Sequence, residues 1–206
     1  MKFERFVCGP LENNVYLLID EKTKKGIVID PALGSNIALI RAKELGVKIE
    51  LILNTHGHPD HTVEDSFMKN ETGARLAIHK EDEYRLKENS EIVTPYLKVQ
   101  PDNVTAEQTF VDNDKIKVGS IELLVIHSPG HTEGSSCFYE ENSKTLFSGD
   151  TLFKQTYGRV DLEGGNEEQM KKTLKMLYTT LPKDTMVFPG HGESTTIGAE
   201  KWIEEL

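Results

Sequence analysis

The sequence predicts a layered α/β sandwich rather than a singly wound Rossmann sheet. Apolar runs of strand length recur along the whole chain. Some are joined by short polar turns, as in hairpins, and others by amphipathic stretches long enough for crossover helices. Both connections occur in each half, so strands and helices must share layers. At 206 residues the chain is long enough for a well-buried core. It has no fixed-period repeat, no low-complexity tract and no Pro/Ser linker, so a single domain spanning 1–206 is expected.

The elements follow in order. "VYLLID" and "KKGIVIDP" are expected to pair around a turn at Glu21–Lys24. "SNIALIRAKELG" predicts a helix, with Ser35 able to cap its start and Gly46 to close it. "IELILNT" is apolar enough for a strand covered on both faces. "EDSFMKNETG" predicts a helix ending near Gly73, "ARLAIH" a short strand and "KEDEYRLKE" a polar helix. Residues 88–113 carry little periodicity and two prolines, Pro95 and Pro101, and read as a long loop. "KIKVGSIELLVIH" predicts a hairpin turning at Gly119–Ser120, and "SSCFYEENSKTLFSGD" another turning around Glu141–Lys144. In "NEEQMKKTLKMLYTTL", Asn166 and Gln169 have capping-box spacing, and Met170, Leu174, Leu177 and Leu181 share one helical face. "TMVFPGH" reads as a last buried strand and "TIGAEKWIEEL" as a final helix.

The net charge of −10 disfavours nucleic acid and anionic membrane surfaces as partners, while leaving room for a local positive cleft. No apolar run approaches a membrane span, and "MKFERFVCGP" has no secretory apolar segment. Cys8 and Cys137 lie far apart, outside any C-x-x-C pair, and are expected to be reduced and buried. Cytoplasm is the expected compartment. The oligomeric state is left open.

Chemistry is concentrated in "NTHGHPDH", where His56, His58, Asp60 and His61 fall within six positions of a chain with seven histidines. Three other strings share its grammar: "LLVIHSPGH", "TLFSGD" and "MVFPGH". Each is an apolar strand followed by a Gly and then a His or Asp: Gly57–His58, Gly130–His131, Gly149–Asp150 and Gly190–His191. A glycine there lets the backbone turn through positive φ or come close to something bulky. Polar groups just past the C-terminal ends of strands are where open α/β sheets keep their sites. A single histidine is usually a surface or core residue; this pattern points to metal instead.

The inventory is His56, His58, Asp60, His61, His131, Asp150 and His191, all nitrogen and oxygen donors suited to zinc, iron or manganese. One tetrahedral ion rarely uses more than four ligands. Seven suit two divalent ions, with three private ligands each and one shared. His56 and His58, two apart on extended backbone, point the same way. Asp60 and His61 follow Pro59, where the chain turns, and can face a second ion. Asp150, alone on its loop, is the candidate bridge. His79 is expected to cap the turn near Lys80, and His127 to hydrogen-bond within its own loop.

"THGHPDH", "PGHT", "SGD" and "PGH" resemble the ordered signature of the metallo-β-lactamase superfamily. "SGDTLF", "YGRVDLEGG" and "FPGHGESTTIG" narrow the likeness to its glyoxalase II-like branch of thioester hydrolases. The resemblance covers nearly the whole chain. It implies a four-layer αββα sandwich with metals at one edge: His56, His58 and His131 on one ion, Asp60, His61 and His191 on the other, Asp150 bridging. It also places Asp30, in "VIDP", outside the ligand set as a residue that orients a ligand; on the residues alone, a turn-forming Asp before Pro31 fits equally. The implied chemistry is attack on a small-molecule thioester by a hydroxide generated between the ions, with Asp60 orienting it. Zinc is the first choice of metal, iron or manganese the alternatives. Lys154, Tyr157 and Arg159 are candidate substrate contacts, although Asp161 offers Arg159 an ion pair.

Three departures shape the expectation. The best-known β-lactamase subclass has Cys at the position of Asp150, which argues against antibiotic hydrolysis here. Diiron oxygen or nitric-oxide reductases have Glu in place of His58. Complete glyoxalase II enzymes add a C-terminal helical region that helps hold glutathione, whereas this sequence stops at Leu206, so the thiol is left open. The rival is a persulfide dioxygenase-like oxidoreductase, with one iron on His56, His131 and Asp150. Lactone or phosphodiester hydrolysis would use the same centre.

Overall fold

The computed structural model describes residues 1–88 and 103–206. The first half forms a six-stranded sheet in the order β1 (Lys2–Cys8), β2 (Asn13–Asp20), β3 (Lys25–Ile29), β4 (Lys48–Leu53), β5 (Arg75–His79) and β6 (Gln108–Phe110). β1 to β3 are antiparallel, and β3 to β6 run parallel. The second half forms another, starting from the edge with β7 (Lys115–Val118), then β8 (Ile121–His127), β9 (Ser136–Glu140), β10 (Thr145–Gly149), β13 (Met186–Pro189) and β14 (Thr195–Thr196). Between them in sequence, β11 (Leu152–Phe153) and β12 (Thr156–Tyr157) make a separate small hairpin. The helices are α1 (Asn36–Glu44), α2 (Pro59–Thr62), α3 (Asp65–Thr72), α4 (Arg85–Glu88) and α5 (Glu167–Thr180).

Strand alternation builds three apolar layers. Val15, Leu17 and Ile19 of β2 face outward onto Ala38, Leu39 and Met68 of α1 and α3. Tyr16 and Leu18 face inward, with Ile27, Leu51 and Leu53, against Leu123, Val125, Phe138 and Phe147 of the second sheet. Cys137, Tyr139 and Leu146 face outward again, onto Met170, Leu174 and Leu177 of α5. Each fully buried Leu or Ile contributes about 1.5–3 kcal/mol. The result is the expected helix–sheet–sheet–helix sandwich. A register shift opposite Gly26–Ile27 lets both Ile49 and Leu51 be buried, although they serve different layers.

Local chemistry explains where the structure departs from expectation. β1 is an unanticipated strand; its Phe3 packs edge-on against Phe188 and Phe147, with ring centroids 4.7 and 5.2 Å apart. Ser35 precedes α1 but does not cap it, because its hydroxyl donates to Glu64 Oε2 (2.6 Å). "KEDEYRLKE" is not one polar helix but a 3-10 turn at Lys80–Asp82 and the short α4. Asp82 and Arg85 are buried there, and Asp82 spends its carboxylate on distant loops. Of the loop expected over 88–113, residues 89–102 lie outside the described residues; the remainder contributes β6, which extends the first sheet. β13 is not the last strand, since β14 pairs with it. "TIGAEKWIEEL" forms two 3-10 turns, Ile197–Ala199 and Lys201–Glu205. Between them buried Glu200 turns inward to accept from Thr195, from Gln155 N–H (2.7 Å) and from Trp202 Nε1 (2.6 Å).

The two sheets are also tied at the end of β2 away from the ligand loops. Asp20 accepts from Ser120 N–H (2.7 Å) in the β7–β8 turn and from Lys22 N–H (3.0 Å) in its own turn. The Thr23 hydroxyl and the Ser120 amide hold its carboxyl well below the usual carboxylate range. A depressed folded-state value adds stability above the unfolded value, about 4, and loses it as pH falls below that. Asp20→Asn is therefore expected to lower the melting temperature by a few degrees at pH 7 and by progressively less below pH ~4. A melting deficit that persists unchanged at acid pH contradicts this account.

Candidate metal centre

The loops that follow β3, β4, β8, β10 and β13 meet at one edge of the sandwich. Two clusters of donor atoms form there. His56, His58 and His131 make one, and Asp60, His61 and His191 the other; within each, the donor atoms lie within 4.8 Å of one another.

The hydrogen bonds select which ring atom faces inward. His61 Nδ1 lies 3.0 Å from Asp30 Oδ2, His131 Nδ1 2.7 Å from the Arg159 carbonyl and His191 Nδ1 2.9 Å from the Leu11 carbonyl. His56 Nδ1 lies 3.0 Å from Thr55 Oγ1, whose own hydroxyl donates to Asp30 Oδ2 (2.7 Å). Oxygens of these kinds assign the proton to Nδ1, leaving the Nε2 lone pair directed into the cluster. His58 is turned the other way and presents Nδ1, 2.8 Å from His131 Nε2.

The spacings suit metal. His131 Nε2 is 3.2 Å from His56 Nε2, and His61 Nε2 is 3.2 Å from His191 Nε2. Asp60 Oδ2 is 3.3 Å from His61 Nε2 and 3.4 Å from His191 Nε2. Ligands about 2.1 Å from a tetrahedral ion stand roughly 3.4 Å apart. Asp150 reaches both clusters: Oδ1 lies 3.4 Å from His61 Nε2, while Oδ2 lies 3.6 Å from both His131 and His191 Nε2. Asp150 Oδ1 is buried without a hydrogen-bond partner, as expected of an atom reserved for a cation. The donor set thus fits two divalent ions.

Electrostatics divides the clusters in the ion-free chain. Burial, then the neighbouring imidazoles, push His56 well down, and the same forces bring His58 to about 3. Burial also opposes charge on His61, but Asp60 and Asp150 outweigh it and hold that imidazole well above its usual range. In turn His61, His131 and His191 overcome burial and draw Asp150 to about 2. His56 and His58 are thus held neutral, while His61 is held charged between Asp60 and Asp150.

Two of the four glycines before candidate ligands have positive φ, Gly130 (139°) and Gly149 (50°). Gly57 and Gly190 serve by closeness instead: a Cβ at Gly190 would stand 2.8 Å from His61 Cε1. Asp30, itself at φ 51°, accepts from Thr55 N–H (2.7 Å) and so orients both His56, through Thr55, and His61.

Lys154 pairs with Glu193 (2.5 Å) on the His191 loop, and Tyr157 stacks on Trp202 with ring centroids 6.0 Å apart. The Arg159 guanidinium pairs with Asp161 (2.8 Å), so this residue reaches the centre by its carbonyl. His79 Nδ1 accepts from Glu81 N–H (3.3 Å), and His127 Nε2 lies 2.7 Å from the Glu133 carbonyl. These two and Glu81 also lie close enough to hold an ion, but the rings stack at 4.3 Å with planes 11° apart. One ion cannot lie in the plane of both, where their lone pairs point. A surface hollow of about 400 Å³ lined by Ile126, His127, Met176 and Leu181 lies away from the seven donors.

Sequence reasoning missed Asp82, Asn13 and Asn14. Asp82 accepts from Gly57 N–H (2.8 Å), Gly134 N–H (2.7 Å) and the Thr132 hydroxyl (2.7 Å). Asn13 Nδ2 donates to Asp60 Oδ2 (2.9 Å). None of the three lay in a motif.

Sandwich and donor set together define a metallo-hydrolase scaffold. Residues 8–191 match the model of the metallo-beta-lactamase superfamily, and the chain belongs to that superfamily. A protein of Aquifex aeolicus (strain VF5) is 36% identical over 200 residues, covering 94% of this chain and 90% of its own. The hydroxyacylglutathione hydrolase GloC of Haemophilus influenzae is 28% identical over 203 residues, covering 98% of this chain and 95% of its own. Among solved structures, TTHA1623 in a di-iron-bound form aligns with TM-score 0.85 and 27% identity over 96% of both chains. The BLEG-1 B3 metallo-beta-lactamase aligns with TM-score 0.87 and 27% identity over 97% of this chain and 96% of that one. ETHE1 from Myxococcus xanthus aligns with TM-score 0.79 and 26% identity over 98% and 82%. Among the described residues no helix is long and apolar enough to cross a membrane.

Proposed function

We propose that this chain is a dinuclear metal-dependent hydrolase of small-molecule thioesters, acting on hydroxyacyl-thiol substrates in the manner of glyoxalase II. The observation that carries the reading is the placement of Asp150, whose carboxylate stands within 3.6 Å of donors of both clusters, with Oδ2 equally far from His131 and His191. A single-ion site has no use for the second cluster. The nearly full-length likeness to the hydroxyacylglutathione hydrolase GloC supports a thioester and returns glutathione to the candidate thiols.

His56, His58 and His131 would hold the first ion, Asp60, His61 and His191 the second, with Asp150 between; zinc is the first choice, iron or manganese the alternatives. When bound, the ions supply hydroxide at neutral pH and polarise the scissile carbonyl. The chain's own part is orientation. Asp30 and the carbonyls of Arg159 and Leu11 fix the rings, and Asn13 fixes Asp60. Asp60 and His191 are partly exposed, their side chains 18% and 25% accessible. Lys154 is exposed on the β11–β12 hairpin beside the His191 loop, and can exchange Glu193 for a substrate carboxylate. Tyr157 and Arg159 are already engaged on this chain.

One sample decides the reading: hydrolysis of S-lactoylglutathione, of a shorter thioester and of a β-lactam, with metal content measured alongside. About two ions per chain with thioester cleavage is the expected result. Oxygen uptake with a persulfide, one iron per chain and no thioester cleavage would establish the oxidoreductase reading, which the likeness to ETHE1 keeps in view.

A further inference from the structure

The dinuclear reading leaves open what makes the second donor set bind as a set. Its members come from α2 and from the loop after β13, and the start of β2 with the loop before it holds them together. Asn13 is 1% exposed. Its Nδ2 donates to Asp60 Oδ2 (2.9 Å) and lies 3.4 Å from His191 Nε2. Its backbone bridges that of His191. Leu11 accepts from His191 Nδ1, and Asn14 N–H donates to the Gly190 carbonyl (2.7 Å). Asn14 Nδ2 donates to the carbonyls of Pro189 and Gly192, both at 2.9 Å. All these contacts serve Asp60 or the His191 loop.

We infer that Asn13 is a positioning residue dedicated to the second ion: its carboxamide aims Asp60 and, through the backbone bridge, registers His191. This rests on the dinuclear reading and adds that the two occupancies are controlled separately.

The chemistry is specific to a carboxamide at this position. The Nδ2–H occupies one lone-pair direction of Asp60 Oδ2 and leaves others for the ion. Asn13 Oδ1 is buried without a partner, an uncompensated desolvation that a residue chosen only for packing would avoid. A carboxylate at the same place would repel Asp60 and turn it away.

The test is metal stoichiometry and affinity on chelator-stripped protein reloaded with Zn²⁺, and with Co²⁺ for its absorption spectrum. The parent is expected to take up about two ions. Asn13→Ala and Asn13→Asp are expected to keep parental affinity for the first ion and to weaken the second about 10–100-fold, the range seen when partners of metal ligands are removed. Asn13→Ser, which keeps a donor, is expected to recover part of the loss. Circular dichroism and the melting temperature of the stripped proteins confirm that each variant is folded, and Asn13→Ser serves if Asn13→Ala does not fold. Equal weakening of both ions, or two ions bound with parental affinity in Asn13→Ala, overturns the inference. A parent that binds a single ion overturns the dinuclear reading and the inference with it, and the parent's own stoichiometry identifies that case.

Discussion

Asp82→Ala is expected to destabilise the protein by about 3–5 kcal/mol and to abolish uptake of the first ion even in the fraction that folds. Asp82 is fully buried. Its Oδ2 accepts from Gly57 N–H, between His56 and His58, and from the hydroxyl of Thr132, next to His131. Its Oδ1 accepts from Gly134 N–H and lies 3.5 Å from Arg85 Nε. One carboxylate thus locks both loops of the first donor cluster. Removing it takes a buried acceptor from two amides and from the Thr132 hydroxyl, which keeps Ser135 Oγ, and among the described residues leaves Arg85 with Glu133, the Glu163 carbonyl and the Tyr84 ring. Unpaired groups of this kind cost about 1–3 kcal/mol each before the loops relax. In a chain of this size the loss appears as a drop of roughly 10 °C or more in melting temperature. Asp82→Asn is expected to fall between, because its carbonyl still accepts from one side while its amide opposes the other donors. A midpoint for Asp82→Ala within about 1 kcal/mol of the parent would show that solvent replaces these bonds and that Asp82 holds nothing in place.

The contrast with the seven candidate donors shows what a sequence makes legible. Six of the donors sit just past an apolar run and a glycine, and His56 stands between the two, so strand periodicity, turn chemistry and residue type all point to the same place. The elements of the layers were legible for the same reason: the apolar runs of β2, β9 and β10, and the α5 face of Met170, Leu174 and Leu177, are local patterns. Asp82 and Asn13 carry no local pattern. Asp82 lies among charged residues in "KEDEYRLKE", and its partner Thr132 is 50 positions away. Asn13 precedes the apolar run "VYLLID", where Asn reads as a turn former, and Asp60 is 47 positions away. Tertiary pairing also overrode local expectation at Ser35, drawn to Glu64, and at Glu200, drawn inward between two 3-10 turns. Residues that act through partners distant in sequence become visible only once those partners are placed.

The largest effect on turnover is expected from Asp150→Asn, a change of charge with almost none of shape. Both carboxylate oxygens are used: one faces His61, the other stands equally far from His131 and His191. An amide offers one weaker acceptor and turns its NH₂ toward one of the clusters. That places a positive dipole where a cation must sit, and removes one of the two carboxylates that offset the charge of the ions. Both ions should weaken together, unlike the selective loss expected from Asn13→Ala. With the ions loosened, thioester kcat/KM should fall by at least about 10³-fold, which corresponds to ~4 kcal/mol of transition-state stabilisation. The fold should be spared, because the side chain keeps its volume and β10, which carries the loop, is paired on its two sides with β9 and β13. Titration of Asp150→Asn with Zn²⁺, alongside the thioester assay and a melting curve, separates the possibilities. Near-parental turnover with two ions bound would mean that the two clusters need no shared carboxylate, and the case for a bridging role at this position would be lost.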